Sequence, residues 1–176
     1  MPNPTTMQKL RHERMQFETL GPEPITNDLV VAMINQAREA RAFSYAPYST
    51  YNVGCTILME NGSGERQLFQ GTNIENAAYW PTMCAERSAI FSAVSVGYRT
   101  LLAAAVVGDL YDNSLVTPCG GCRQVMNEFG NGMTLVFMAN NDDTVEIRTL
   151  NELLPEAFGP ANLGKNPQSY RAKYQT

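Results

Sequence analysis

Histidine is almost missing from this chain of 176 residues: the one imidazole, His12, lies in a charged N-terminal segment and is set aside as a metal ligand because it reads as exposed. Long apolar runs are missing too. The longest, Leu101 to Val107, is far short of the roughly 20 residues that a membrane-spanning helix needs. No apolar signal core shows in the first two dozen residues, and Glu13, Glu18 and Glu23 are out of place in an acid-poor transit peptide. An intracellular, cytoplasmic protein is expected. Positive charge is not in excess either: the net charge is −4 and the pI about 5.0. Proteins that bind polyanions are usually basic, because phosphate contacts dominate their affinity. A small neutral substrate is therefore expected, with no nucleic-acid or membrane partner. Cysteine is scarce, but the four present in a reducing compartment suggest metal binding or catalysis before disulfides.

What is present suits one domain with one sizeable core, and no repeat or second domain is visible. Residues 1–25 carry prolines and no sustained periodicity, and read as an extension. Thr26-Asn27-Asp28 offers helix-capping side chains, and Val30, Met33, Ile34, Ala37 and Arg41 follow at helical spacing. An aromatic-rich loop, Phe43 to Asn52, is broken by Pro47. Val53 to Met59 reads as a buried strand, Asn61-Gly62-Ser63-Gly64 as a turn, and Gln67 to Gln70 as the antiparallel return. Gly71 to Tyr79 is expected to leave the sheet as a polar loop. A helix follows from about Cys84 to Val96, with Ala85, Ala89, Ile90 and Ala93 as a small-residue face and Gly97 as its stop. Leu101 to Gly108 reads as a central strand. Thr117-Pro118 looks like an N-cap with a first-turn proline, opening a helix to Phe129. Met133 to Met138 and Val145 to Arg148 read as strands whose short connection requires antiparallel pairing. Leu150 to Leu154 reads as a short helix. The expected architecture is a three-layer α/β/α domain over residues 26–160 with a mixed five-stranded sheet. A tail covers residues 161–176, where Lys165, Arg171 and Lys173 have no acid among them.

Two short stretches carry the chemistry: Cys84-Ala85-Glu86-Arg87 and Pro118-Cys119-Gly120-Gly121-Cys122-Arg123-Gln124. They match the cysteine form of the zinc nucleobase-deaminase signature, C-x-E…P-C-x-x-C. Both sit at expected helix N-termini, where the helix dipole and free N–H groups favour thiolates. Cys119 and Cys122 are one turn apart, so Cys84, Cys119 and Cys122 can share one zinc ion per chain. Three protein ligands leave the fourth tetrahedral position open, as a catalytic zinc requires. Bound water there ionises near pH ~7 instead of ~16. Three thiolates weaken that effect, and Arg87 is the candidate to offset them by hydrogen bonding to the sulfurs. Glu86 is not needed as a ligand. It is placed to take a proton from the zinc-bound water and pass it to a ring nitrogen and then a leaving amine. A redox dithiol would explain neither Cys84-Ala-Glu nor Pro118. A closed structural zinc would need Cys55, which lies in an apolar strand and reads as a small core hydrophobe.

From about Ala42 to Leu163 the chain resembles the cytidine deaminases of the three-cysteine, homotetrameric type. The resemblance rests on Tyr45-Ala-Pro-Tyr-Ser49, Val53-Gly54, Asn73-Ile-Glu-Asn-Ala-Ala-Tyr79, the two zinc stretches through Val125, Glu152-Leu-Leu-Pro155 and Phe158-Gly-Pro160. It implies hydrolysis of cytidine and deoxycytidine to uridine and deoxyuridine with release of ammonia, in pyrimidine salvage. It implies that Asn73 and Glu75 bind a ribose hydroxyl and that the Ala85 N–H holds the pyrimidine O2. Tyr51, where phenylalanine is usual, takes the position of an aromatic against the substrate. Phe158 matches an aromatic inserted into a neighbour's active site, so a homotetramer with shared sites is implied, and Tyr79 is a weaker candidate for subunit packing. The alternatives are a deaminase of another aminopyrimidine nucleoside and a polynucleotide-editing deaminase; the ribose pair argues against the first and the acidity against the second.

Overall fold

Alternation along the strands decides the layers. In the computed structural model, which describes residues 24–109, 114–141 and 144–165, five strands form one sheet in the order β2-β1-β3-β4-β5. They are β1 (Val53–Glu60), β2 (Arg66–Thr72), β3 (Thr100–Gly108), β4 (Leu135–Ala139) and β5 (Val145–Thr149). β1 is antiparallel to β2 and β3, β3 is parallel to β4, and β5 closes the edge antiparallel to β4. Side chains of one parity, Ile57, Ala104, Val106, Val136 and Met138, pack under helices α2 (Ala85–Ser95) and α3 (Gly120–Phe129). Those of the other parity, Leu58, Ala105, Val107 and Phe137, pack under α1 (Asn27–Arg41). This is the expected α/β/α fold with a mixed five-stranded sheet. A register shift at Leu58/Met59 skips Leu102, so Leu102 and Ala103 both face α1, as an extra residue in one strand dictates.

α1 starts where its capping residues stand. The Thr26 hydroxyl accepts from Leu29 N–H at 3.2 Å, Asp28 lies in the first turn, and Arg38 and Arg41 lie in the last, each sign favouring its end of the helix dipole. Val30, Met33, Ile34 and Ala37 form its buried stripe. Ile25, at the end of the segment read as an extension, is 1% exposed and belongs to this layer. Residues 1–23, with His12, and the tail beyond Lys165 lie outside the described residues; before that, Pro160–Leu163 forms a 3-10 helix. No helix among the described residues is long and apolar enough to cross a membrane.

Two boundaries differ from the sequence-based expectation in ways that matter for the site. β2 runs on to Thr72 instead of ending at Gln70, because Gly54 to Thr72 and Cys55 to Gly71 keep pairing with β1. A Cβ at Gly71 would lie 2.3 Å from the Ala85 carbonyl and 2.4 Å from Ala89 N, so only glycine lets the first turn of α2 sit on the sheet. α3 begins at Gly120 with Cys119 as N-cap; Thr117 is not the cap. Pro118 stays ahead of the helix because Arg123 Nε donates to its carbonyl at 2.7 Å, while Arg123 N–H closes the first turn on the Cys119 carbonyl at 3.0 Å.

Candidate active site

The two helix starts are built alike. Cys84 and Cys119 are both N-caps in extended conformation, and neither side chain caps its helix by a hydrogen bond. An N-cap side chain ordinarily turns back onto its own first turn; here both thiols face each other instead, 3.9 Å apart. Cys122, in the first turn of α3, brings its sulfur to 3.4 Å from Cys119. All three sulfurs lie within 4.8 Å of one another. Tetrahedral zinc–thiolate bonds of ~2.3 Å separate sulfurs by about 3.8 Å, so the spacing and the soft donor set fit zinc. Cys55 is fully buried among the apolar side chains under α2 and stands apart from this group.

Charge in the thiol cluster is shared unevenly. Hydrogen bonding from Cys122, with further donation from Arg87, holds Cys84 down at about 5, despite its partial burial. Cys122 is pushed up in return by its hydrogen bond to Cys84, by burial and by Glu86. Arg87 Nη2 donates to Cys84 Sγ and to the Thr82 carbonyl, each at 3.3 Å. Glu86 is 4% exposed, and burial pushes its carboxyl above the usual range, with the Cys84 charge acting in the same direction. Ala85, fully buried, opens α2, so its N–H is among the first four without an intrahelical acceptor.

Two loops lie beside the helix start that carries Cys84: Ile74 pairs with Met83, next to Cys84, and Tyr45 pairs with Ile74. Asn73 Nδ2 donates to the Tyr51 carbonyl at 2.8 Å, and its Oδ1 accepts from Val53 N–H at 2.8 Å and from the Ser44 hydroxyl. Both ends of the amide are thus held, with one N–H left over. Glu75 Oε2 accepts from Tyr48 N–H at 2.9 Å and Ser49 N–H at 3.2 Å, and Oε1 accepts from the Ser49 hydroxyl. The Ser49 bond, with those backbone bonds, holds its carboxyl below the usual range. Tyr51 packs on the α2 layer, and its hydroxyl is pushed up by burial and then by the charges of Glu86 and Asp109. Cys84, Cys119, Cys122, Glu86, Arg87 and Ala85 thus meet at two helix ends. Asn73 and Glu75 are hydrogen-bonded to the loop that carries Tyr51, and the Glu86 charge bears on the Tyr51 hydroxyl.

Phe158 behaves differently. The residue is 60% exposed, and its carbonyl accepts from Gln124 Nε2 at 2.8 Å and Asn127 Nδ2 at 3.3 Å. Tyr79 is exposed too. The residue that sequence reasoning passed over is Arg123. It donates to the Pro118 carbonyl at one end and to the Leu153 carbonyl, 2.7 Å away, at the other. It thereby ties the loop before Cys119 to α4 (Leu150–Leu153). Its place directly after Cys122 was the only local signal.

The comparisons agree with this geometry. The family described as cytidine and deoxycytidylate deaminase zinc-binding region matches residues 29–139. A cytidine deaminase of Sporosarcina psychrophila is 44% identical over 134 residues, which is 76% of this chain and 94% of the relative. The crystal structure of cytidine deaminase from Burkholderia pseudomallei superposes with a TM-score of 0.66 at 42% identity, covering 73% of this chain and 98% of that one. The cytidine deaminase structure from Mycobacterium tuberculosis gives a TM-score of 0.61 at 35% identity over 74% of this chain and 97% of that one. With the three-cysteine cluster in place, the chain belongs to the cytidine and deoxycytidylate deaminase zinc-binding family.

Proposed function

We infer that the protein is a zinc-dependent cytidine deaminase that hydrolyses cytidine and deoxycytidine to uridine and deoxyuridine in pyrimidine salvage in the cytoplasm. The observation that carries this is the buried carboxylate of Glu86 beside three thiols that converge from two helix starts. Zinc is held by Cys84, Cys119 and Cys122, and when bound it supplies the Lewis acidity that makes water a nucleophile near neutral pH. The reaction forms a C4–O bond, breaks the C4–N bond and needs two proton transfers. Glu86 performs them: its carboxylate takes one proton from the attacking water and gives it to the ring nitrogen, then takes the remaining proton from the new C4 hydroxyl and delivers it to the leaving amine as the C4 carbonyl forms and the C4–N bond breaks. Burial favours the protonated carboxyl, which suits a group that must hold a proton between steps.

Around that exchange the other residues bind and orient. The Ala85 N–H, free at the start of α2, donates to the pyrimidine O2. Asn73 has one amide N–H to spare and Glu75 is held anionic, and together they take a ribose hydroxyl; the same negative charge disfavours a nucleotide phosphate. Tyr51 forms the wall against the ring. Phe158, exposed on its own protomer, is the aromatic offered to a neighbour's site in a homotetramer, and Tyr79 is a weaker candidate for subunit packing near the pocket. Arg87 offsets the thiolate charge by donating to Cys84. Arg87→Ala is expected to lower turnover by roughly 10- to 100-fold, the usual effect of losing a partner that orients a ligand, and to move the pH profile. Unchanged turnover and profile would remove Arg87 from the mechanism.

The test is the ultraviolet band of cytidine. It is expected to fall with the purified protein at one zinc per chain. Zinc bound at that ratio with cytidine and deoxycytidine both untouched would overturn the assignment of the ribose subsite.

A further inference from the structure

Glu75 is held by one short turn, and one side chain in that turn does two things at once. Ser49 donates its hydroxyl hydrogen to Glu75 Oε1, while the same oxygen accepts the Tyr51 N–H at 3.0 Å. Its own N–H and that of Tyr48 hold Glu75 Oε2. The two loops are also zipped by backbone bonds, Tyr45 N–H to the Asn73 carbonyl at 3.0 Å and Glu75 N–H to the Tyr45 carbonyl at 2.8 Å. Between Ser49 and Tyr51 stands Thr50 with φ 55°. A β-branched residue in the left-handed region is strained, and such strain persists only where the surroundings enforce it. Here they do: Thr50 N–H donates to the Ala46 carbonyl at 3.0 Å, and its hydroxyl to the Ser49 carbonyl at 2.6 Å.

We propose that Ser49 is a positioning residue of the sugar subsite: its hydroxyl locks the Glu75 carboxylate and the Tyr51 backbone to each other, so sugar recognition and the ring wall are set by one side chain. The proposal rests on Glu75 reading the ribose. With Ser49→Ala, Oε2 keeps its two backbone donors, but Oε1 loses the Ser49 hydroxyl and Tyr51 N–H loses its acceptor. The carboxylate can then rotate about the Oε2 anchor. The zinc ligands and Glu86 lie on other elements, so the chemical step is untouched.

The experiment compares wild type, Ser49→Ala, Ser49→Thr, Glu75→Ala and the Ser49→Ala/Glu75→Ala double variant on cytidine and on its analogues lacking the 2′- or the 3′-hydroxyl. Ser49→Ala is expected to raise KM for cytidine about tenfold at nearly constant kcat, the scale of one hydrogen bond to a charged group. It is also expected to shrink the preference for cytidine over the analogue whose missing hydroxyl Glu75 reads. Ser49→Thr, which keeps the hydroxyl, restores both. The double variant loses little beyond Glu75→Ala, because Ser49 acts chiefly through Glu75 and the lost acceptor of Tyr51 N–H is the smaller part. An unchanged KM and preference in Ser49→Ala, or a full-size Ser49 effect in the Glu75→Ala background, overturns the proposal while leaving the sugar subsite standing. Glu75→Ala with an intact preference overturns the subsite reading, and Ser49's role with it.

Discussion

Glu86→Ala is expected to lower kcat on cytidine by about 10⁴-fold or more, the upper end of what one general acid–base group supplies. The upper end applies because the same carboxylate serves successive proton transfers, so its loss is felt at each. Water does not replace it, since Glu86 is 4% exposed at the start of α2. Zinc is expected to stay at one ion per chain, because the three sulfurs that fit it do not depend on the carboxylate. Glu86→Gln, which keeps the shape and removes the charge, is expected to lose as much. The measurement is loss of the cytidine absorbance band at saturating substrate, with metal content on the same samples. A decrease under about 10² would show that another group moves the protons.

Removing a sulfur acts on metal and fold together. Cys122→Ala is expected to bring zinc from one per chain to nearly none and to abolish turnover, and a strong chelator is expected to do the same to the wild type. Two sulfurs on separate helices are a poor site, and Cys122 is the buried one of the three. Stability falls as well, because zinc binds only the folded arrangement of two helix ends. At free zinc about 1,000-fold above its Kd this linkage contributes about 4 kcal/mol, or roughly 8–16 °C in melting temperature for a chain of this size. Calorimetry with and without chelator checks it. Cys55→Ala serves as the contrast. It trims a packed core under α2 and is expected to leave zinc content unchanged; a loss of metal there would place Cys55 among the ligands.

The helices and strands were largely legible because their causes are local. The capping Thr26 and the stripe from Val30 to Ala37 define α1 within its own residues. The apolar run of β3 marks a strand with helices on both faces. The misplaced boundaries had distant causes. β2 is extended by its pairing to β1, and the Arg123 that holds the Pro118 carbonyl ahead of α3 is itself anchored on the Leu153 carbonyl, 30 positions along the chain.

The same division holds for the site. The sequence by itself determined which atoms can bind zinc and which carboxylate stands beside them, because the ligand spacing, helix N-terminal chemistry and Cys-Ala-Glu adjacency are all short-range. The tertiary structure alone decided what holds them. Gly71 lets α2 touch the sheet, Arg123 joins the second cysteine stretch to α4, and Ser49 reaches Glu75 across 26 positions of chain. Each of these contacts depends on two segments meeting in space, and neither segment alone carries a pattern that requires the other.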